Sequence, residues 1–363
     1  MAGYVQEIGG RRFLYKNINS LARYILQRLV LMIPTFIGIT LISFLIVHLA
    51  PGDPAELMAG GGLRASGAEG LSTEKRATLD TALQQWRHQF GLDKPLHIQY
   101  WVWLKNILSL QFGDSFKDSQ PVIKKILERL PITIKLNLLS ILLIYIVSIP
   151  LGIYSATHPY ALGDKVTTLI AFILFSIPSF WAAILAIVFL GGGDFLDFFP
   201  PGGLQSSNYS MAWPLWQKVL DQGWHLFLPV VMLSYASFAE LSRFMRASIL
   251  ENIHQDFIRT ARAKGLSERV VIFKHVLRNS LIPMVTIMAD ILPALIGGSV
   301  IIETIFSIPG IGQLGYQAVL SRDYPIVMAV LMIGSVVTLL SILVSDVLLT
   351  LVDPRISFTR RTI

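Results

Sequence analysis

The sequence predicts an all-α polytopic membrane protein with six transmembrane helices, and three observations carry that reading. Apolar runs of span length recur along the 363 residues, 53% of residues are hydrophobic against 15% charged with a mean hydropathy of +0.60, and the basic residues crowd into segments that flank apolar runs. A soluble chain of this length has no interior large enough for so much apolar surface. A bilayer, by contrast, asks for about 20 apolar residues per helix. The net charge of +7 does not point to nucleic acid, because the excess sits beside the spans and not on a polar domain. With no cysteine in the chain, disulfide frameworks, thiolate metal sites and cysteine nucleophiles are excluded.

In chain order, residues 1–23 form a basic segment with Arg11, Arg12, Lys16 and Arg23, and the first span runs over 24–50. That run is too long for a signal-peptide core or a twin-arginine export signal, so it reads as an uncleaved helix with its N-terminus in the cytoplasm. Residues 51–131 are mixed and polar. They hold a Gly-rich patch (Gly60, Gly61, Gly62, Gly67, Gly70) and one amphipathic helix marked by Leu79, Leu83, Trp86 and Phe90, at spacings of a helix face. The run 97–110, with Tyr100, Trp101, Trp103 and Lys105, suits the membrane surface or packing on the bundle. Spans are then expected at 132–157, 166–190, 227–244, 283–302 and 326–351, followed by a basic tail over 352–363.

Charge sets the orientation. The 243–279 interval carries eight basic residues, whereas the loops at 193–224 and 304–325 carry only Lys218 and Arg322. Both termini and the 243–279 loop are therefore expected in the cytoplasm, and residues 51–131, too long a segment for charge to govern, on the other side.

The loop over 245–282 is the one long polar interval in the second half. Asp256 is a candidate N-cap for a short helix whose last turn carries Arg262 and Lys264, with Gly265 as a left-handed stop. Ser267 is placed to cap a second helix through Val270, Val271, Ile272, Phe273, Val276 and Leu277, ended by Pro283. On charge alone this is a solvated basic loop obeying the positive-inside bias.

The run Arg259-Thr260-Ala261-Arg262-Ala263-Lys264-Gly265, continued by Leu266-Ser267-Glu268-Arg269 and closing in Leu281-Ile282-Pro283, resembles the EAA loop of permease subunits of binding-protein-dependent ABC importers. Arg259 and Thr260 stand where the general motif has Glu-Ala, and Pro283 comes a few residues late, a variant similar to the peptide and nickel branch. Leu49-Ala50-Pro51-Gly52-Asp53-Pro54, Phe112-Gly113-Asp114-Ser115, Ile308-Pro309-Gly310-Ile311-Gly312 and Val352-Asp353-Pro354-Arg355 look like the B-type permease of dipeptide and oligopeptide importers. Ser321-Arg322-Asp323-Tyr324-Pro325 is similar to its Yej-type branch.

The resemblance implies a type I importer permease fold in a bacterial inner membrane. It also implies import of oligopeptides or peptide conjugates such as peptide-nucleotides, and an ATPase-coupling role for Asp256, Phe257, Arg259, Thr260, Ala261, Arg262, Gly265 and Leu266. The implied partners are a second homologous permease subunit, two ATPase domains or subunits that bind ATP and Mg, and a peptide-binding protein. Nickel chelates or glycosides stand as alternative cargoes.

No catalytic set is present. There is no Gly-Lys dipeptide and hence no P-loop, no His-Glu-x-x-His, and the seven histidines are scattered, so the chain reads as a transport subunit and not an enzyme. Polar residues inside the spans remain. Asp290 in the fifth span costs about 2.5 to 3.5 kcal/mol there and should face protein or water. Glu240 and Arg243 are spaced to pair, and Ser234, Tyr235, Ser237 and Ser242 make the fourth span the least lipid-compatible. Ser234, Ser237, Glu240, Asp290 and Ser299 are candidates to line a translocation path, set against interhelical hydrogen bonding. Two competing readings are a secondary transporter using Asp290, which calls for inverted repeats, and an intramembrane enzyme, which calls for paired catalytic residues.

Overall fold

The computed structural model describes residues 9–49, 93–191, 195–281 and 291–352. The Gly-rich patch, the amphipathic helix around Trp86, Asp290, Pro283 and the 353–363 tail lie outside them. The described chain is helical: α1 Gly9–Leu49, α2 Leu96–Leu108, α3 Val122–Thr157, α4 Leu162–Ser176, α5 Ser179–Leu190, α6 Leu215–Ile253, α7 Asp256–Ala263, α8 Glu268–Val270, a π-helical turn Val271–Val276, α9 Leu277–Ser280, α10 Ile291–Gly297, α11 Val300–Ile305, α12 Ile311–Leu320 and α13 Tyr324–Val352. Among the described residues, α1, α3, α6 and α13 contain stretches long and apolar enough to cross a membrane.

The third expected span is not one helix. α4 and α5 meet at 97°, because Ile177 is extended (ψ 121°) before Pro178, itself the N-cap of α5. Proline disfavours helical geometry in the residue before it. A carbonyl freed inside a membrane needs a donor, and the Tyr235 hydroxyl donates to the Ile177 carbonyl at 2.5 Å.

The fifth expected span, 283–302, is likewise not continuous where it is described. Gly298 at φ +67° separates α10 from α11, and Asn137 of α3 donates its amide to the freed carbonyls of Ala294 (2.6 Å) and Leu295 (3.3 Å). The helices of the second and fourth expected spans, α3 and α6, exceed the apolar runs that announced them, reaching out to Val122 and Leu215 at the end opposite the 245–281 loop.

Without a hydrophobic drive between spans, packing and small residues hold helices together. α3 and α6 cross at Gly152, where an added Cβ would stand 2.6 Å from Met245 Cβ. A core near the opposite end joins Leu136, Ala183, Ala186, Leu226, Ile302 and Phe306. The aromatic helix α2 packs on the bundle: Tyr100 shares a 2.8 Å hydrogen bond with Thr40 of α1 and clusters with Phe44, Leu104 and Met328. First and last long helices also join through Arg28 and Asp346, 2.9 Å apart.

Two loops close the opposite end. Asp323 accepts from the Ser115 hydroxyl (2.5 Å) and the Phe116 amide (3.1 Å), and Asp221 accepts from the Ser206 amide (3.1 Å) and from its hydroxyl.

Candidate coupling loop and polar interior

α7 is an eight-residue helix whose N-cap is Gln255 (ψ 153°). Asp256, expected as the cap, is instead the first helical residue, because the chain is still extended at Gln255. No side chain closes the helix start. The Asp256 carboxylate stands in the first turn, where the helix dipole favours it, 3.5 Å from Arg259. The far end follows expectation: Lys264 is the C-cap, and Gly265 adopts φ +75° and donates its N–H to the Arg262 carbonyl at 2.9 Å.

Ser267 holds the N-cap position of the next helix, but its hydroxyl makes no capping bond. That helix is not a regular α-helix either. In the π turn, residues five apart lie on one side, which lets Val271 and Val276 both be fully buried while Phe273 stays 55% exposed.

The loop therefore has two faces. Ile258 and Ala261, three apart on α7, are buried in one cluster with Val271 and Val276 of the π turn, Ala156 of α3 and Met245 and Ile249 of α6. The other face presents Phe257, Arg259, Thr260, Arg262 and Leu266 to the outside. Arg262 reaches forward and forks onto Glu268, with Nε at 3.1 Å and Nη2 at 2.5 Å. These hydrogen bonds hold the Glu268 carboxyl below its ordinary range and raise the guanidinium.

Ser248 of α6 and Ser280 of α9 bind each other across the base of the loop, and Asn252 donates to the Ser248 carbonyl (2.8 Å) and the Ser280 hydroxyl (3.2 Å).

Beside this seat lies a group that the sequence reading missed. Asp164, in the first turn of α4 and 4% exposed, accepts from Arg246 of α6 through Nε and Nη2, both at 3.0 Å. It also accepts from the Tyr160 amide (3.0 Å) and from the Ser155 hydroxyl of α3. An ionisable residue at the edge of an apolar run is the signal that pointed to it, but its partner is 82 positions away and has no local mark.

Asp290 lies outside the described residues, and the other expected path residues each have surroundings of their own. Ser234 is fully buried in the α3–α6 contact, its hydroxyl donating to the carbonyls of Ser140 (3.1 Å) and Val230 (2.6 Å). Ser237 is half-buried and Glu240 exposed. Arg243 stacks on the Phe172 ring of the neighbouring helix α4 at 4.5 Å, in place of the expected pair with Glu240. Ser299 is the N-cap of α11 and accepts from the Ile302 amide at 3.4 Å.

Among the described residues, the most buried carboxyl is that of Glu303 of α11, fully buried. It accepts from Thr133 Oγ1 (3.2 Å) and from the amides of Gln313 (2.8 Å) and Ser299 (3.3 Å). Thr133 in turn accepts from the Ile311 amide at 2.8 Å. Three glycines make the space: a Cβ at Gly298, Gly310 or Gly312 would lie 2.7, 2.4 or 3.0 Å from an atom of the Glu303 carboxyl group. The signal in the sequence was a carboxylate followed within ten residues by glycines, hidden because Glu303 falls where an apolar run ends.

A helical membrane bundle with a polar loop seated across its end has known counterparts. Residues 148–358 match the family described as binding-protein-dependent transport system inner membrane component, and residues 21–137 match the N-terminal region of the same kind of component. The chain belongs to this family.

The permease is 39% identical over 339 residues to the oligopeptide transport system permease protein AppB of Bacillus subtilis, covering 93% of this chain and all of that one. It is equally 39% identical, over 370 residues, to the peptidoglycan transport system permease protein YejB of Agrobacterium fabrum, covering 94% and 99%. Among solved structures, an inward-facing MetNI methionine ABC transporter chain matches with a TM-score of 0.46 at 19% identity, over 65% of the permease and 99% of that chain. The permease is thus an inner membrane component of a binding-protein-dependent transport system.

Proposed function

We propose that this chain is a pore-forming permease subunit of an ATP-driven importer of peptides or peptide conjugates, and that α7 couples ATPase closure to alternating access. The observation that carries the reading is the two-faced α7: Ile258 and Ala261 are buried in one cluster with the π turn and the ends of α3 and α6, while Phe257, Arg259, Thr260, Arg262 and Leu266 face outward beside Gly265. A helix seated on its own bundle and offering an apolar and basic surface is built to receive a partner and pass on its movement. The names of the relatives, oligopeptide and peptidoglycan transport permeases, support a peptide cargo.

The partners on this reading are a second homologous permease, two ATPase domains or subunits that hold ATP and Mg, and a peptide-binding protein on the far side. The α7 end, with both termini, faces the cytoplasm, in keeping with the positive-inside bias. Asp290, Ser237 and Ser299 are the polar residues left to line the path.

Co-purification from the native membrane tests the proposal. An ATPase and a second permease should travel with the chain, and the reconstituted assembly should take up labelled tri-alanine only with ATP and the binding protein. A chain that purifies without an ATPase, or transports alone, sinks it.

A further inference from the structure

We infer that the Asp164–Arg246 pair is the positioning contact that makes the bent α4–α5 pair move with the coupling helix α7. The inference rests on the proposed coupling role of α7 and adds where its movement goes.

α7 meets the bundle through Ile258 and Ala261, which share one buried cluster with Val271 and Val276 of the π turn, Ala156 near the end of α3 and Met245 and Ile249 near the end of α6. A push on α7 therefore reaches the ends of α3 and α6 through that shared cluster. Between those two helices the contact is already tight, with no room for a Cβ at Gly152 against Met245.

α4 lies along α6, where Arg243 stacks on Phe172 and the Tyr235 hydroxyl takes the Ile177 carbonyl, while Leu169, Ile170 and Ile173 face outward. Its starting turn is fixed by the Asp164 carboxylate, which takes Arg246 of α6 in a two-point fork, the Ser155 hydroxyl of α3 and the Tyr160 amide of the connecting turn. A forked, largely desolvated pair fixes orientation as well as distance. One carboxylate thus binds the starting turn of α4 to the two helices that α7 rests on. At its other end α4 meets α5 at 97°, and α5 enters the core opposite the loop through Ala183 and Ala186. A movement received at α7 has, through Asp164, a route along α4 to the other end of the bundle.

The chain has no cysteine, so two introduced at Ser176 on α4 and Ser267 in the loop can carry spin labels, and their separation is read in the assembled transporter without nucleotide and trapped with ATP and vanadate. With the pair intact, the loop and α4 move as one body and the distance distribution does not change on trapping. In Asp164→Asn the distribution shifts on trapping by more than its wild-type width, and in Arg246→Lys, which keeps the charge and loses the fork, by less.

A merely stabilising pair would lower the melting temperature in these variants and leave the two distributions alike. If the wild-type distance itself shifts on trapping, or if neither variant's does, the relay is wrong; should Asp164→Asn fail to assemble, Arg246→Lys decides in the same way. Tri-alanine uptake is followed in the same vesicles. Its absence in the wild type counts against the peptide reading alone, because the distances do not depend on cargo.

Discussion

Ser248 and Ser280 exchange hydrogen bonds across the base of the coupling loop, each hydroxyl donating to the other's backbone carbonyl at 3.0 and 3.2 Å. Both residues are buried, so the exchange joins the end of α6 to α9 where the chain returns to the bundle. Interhelical hydrogen bonds in membranes average about 0.6 kcal/mol in double-mutant cycles. Each hydroxyl donates to a backbone carbonyl that alanine keeps, so Ser248→Ala and Ser280→Ala are each expected to lower stability in detergent by about that amount and the double variant by about their sum. No loss in either single variant would show that the exchange is not formed in the folded protein.

Gly265 needs its left-handed backbone and nothing else, because an added Cβ there meets no atom within 4 Å. Gly265→Val therefore costs backbone strain alone, about 1 to 3 kcal/mol, while Gly265→Asn, which tolerates this geometry, costs less. The valine variant should insert and assemble but lose uptake and peptide-stimulated ATP hydrolysis together, and the asparagine variant should keep most of both. Equal losses in the two would show that backbone conformation is not what matters.

The cage around Glu303 allows no side chain. Gly310→Ala would force a methyl to within 2.4 Å of the carboxyl, and overpacking of this kind costs about 1 to 3 kcal/mol. Glu303→Ala instead leaves the Gln313 and Ser299 amides without their acceptor, at about 1 to 3 kcal/mol for each buried group left unsatisfied. Thermal unfolding in detergent should fall in both, and Gly310→Ala combined with Glu303→Ala should be less destabilised than the sum of the singles. Summed effects would mean that the two groups do not meet.

The Arg262–Glu268 fork sets a pH dependence in the loop. The carboxyl of Glu268 is lowered in the folded protein, so its contribution is present above the ordinary glutamate range and is lost as pH falls through the lowered value. Both groups are about half exposed, which limits the pair to about 0 to 1 kcal/mol. Hydrogen exchange of the loop amides is expected to be equally protected at pH 6 and pH 8 once corrected for intrinsic rate, and Glu268→Gln to speed it only a few-fold. A tenfold change between those two pH values would contradict the assignment.

Sidedness is read with single cysteines. Ser267 should label only from the cytoplasmic side and Ser207 only from the other. Ser207 is preferred to Ser206, whose amide and hydroxyl are held by Asp221. Labelling of both from one side ends the proposed orientation.

The legible part of this protein was what repeats or sits next to itself in the chain. The long apolar runs gave α1, α3, α6 and α13, and the short polar run ending in Gly265 gave α7 and its stop, because helix ends are local chemistry. The breaks at Pro178 and Gly298 were hidden inside apolar runs: hydropathy measures what lipid tolerates and is silent on whether the backbone stays helical. Asp164 with Arg246 and Glu303 with Thr133 were illegible for another reason. Each needs a partner more than 80 positions away, and nothing in either residue's own neighbourhood names it. The caps were misjudged at Asp256 and Ser267 because residue preference is a statement about many helices, and here the backbone turned one position earlier or left the hydroxyl unused.

Glu303 is held by a hydroxyl and backbone amides, whereas the coupling loop is dressed with exposed ion pairs such as Arg262–Glu268 and Arg259–Asp256. Mobile ions reach the second kind and not the first, over a screening distance of about 8 Å at physiological ionic strength. Raising the salt therefore loosens the ion pairs of the loop while leaving the fully buried Glu303 node as it was, so that ionic strength alone separates the seat of the loop from the polar interior.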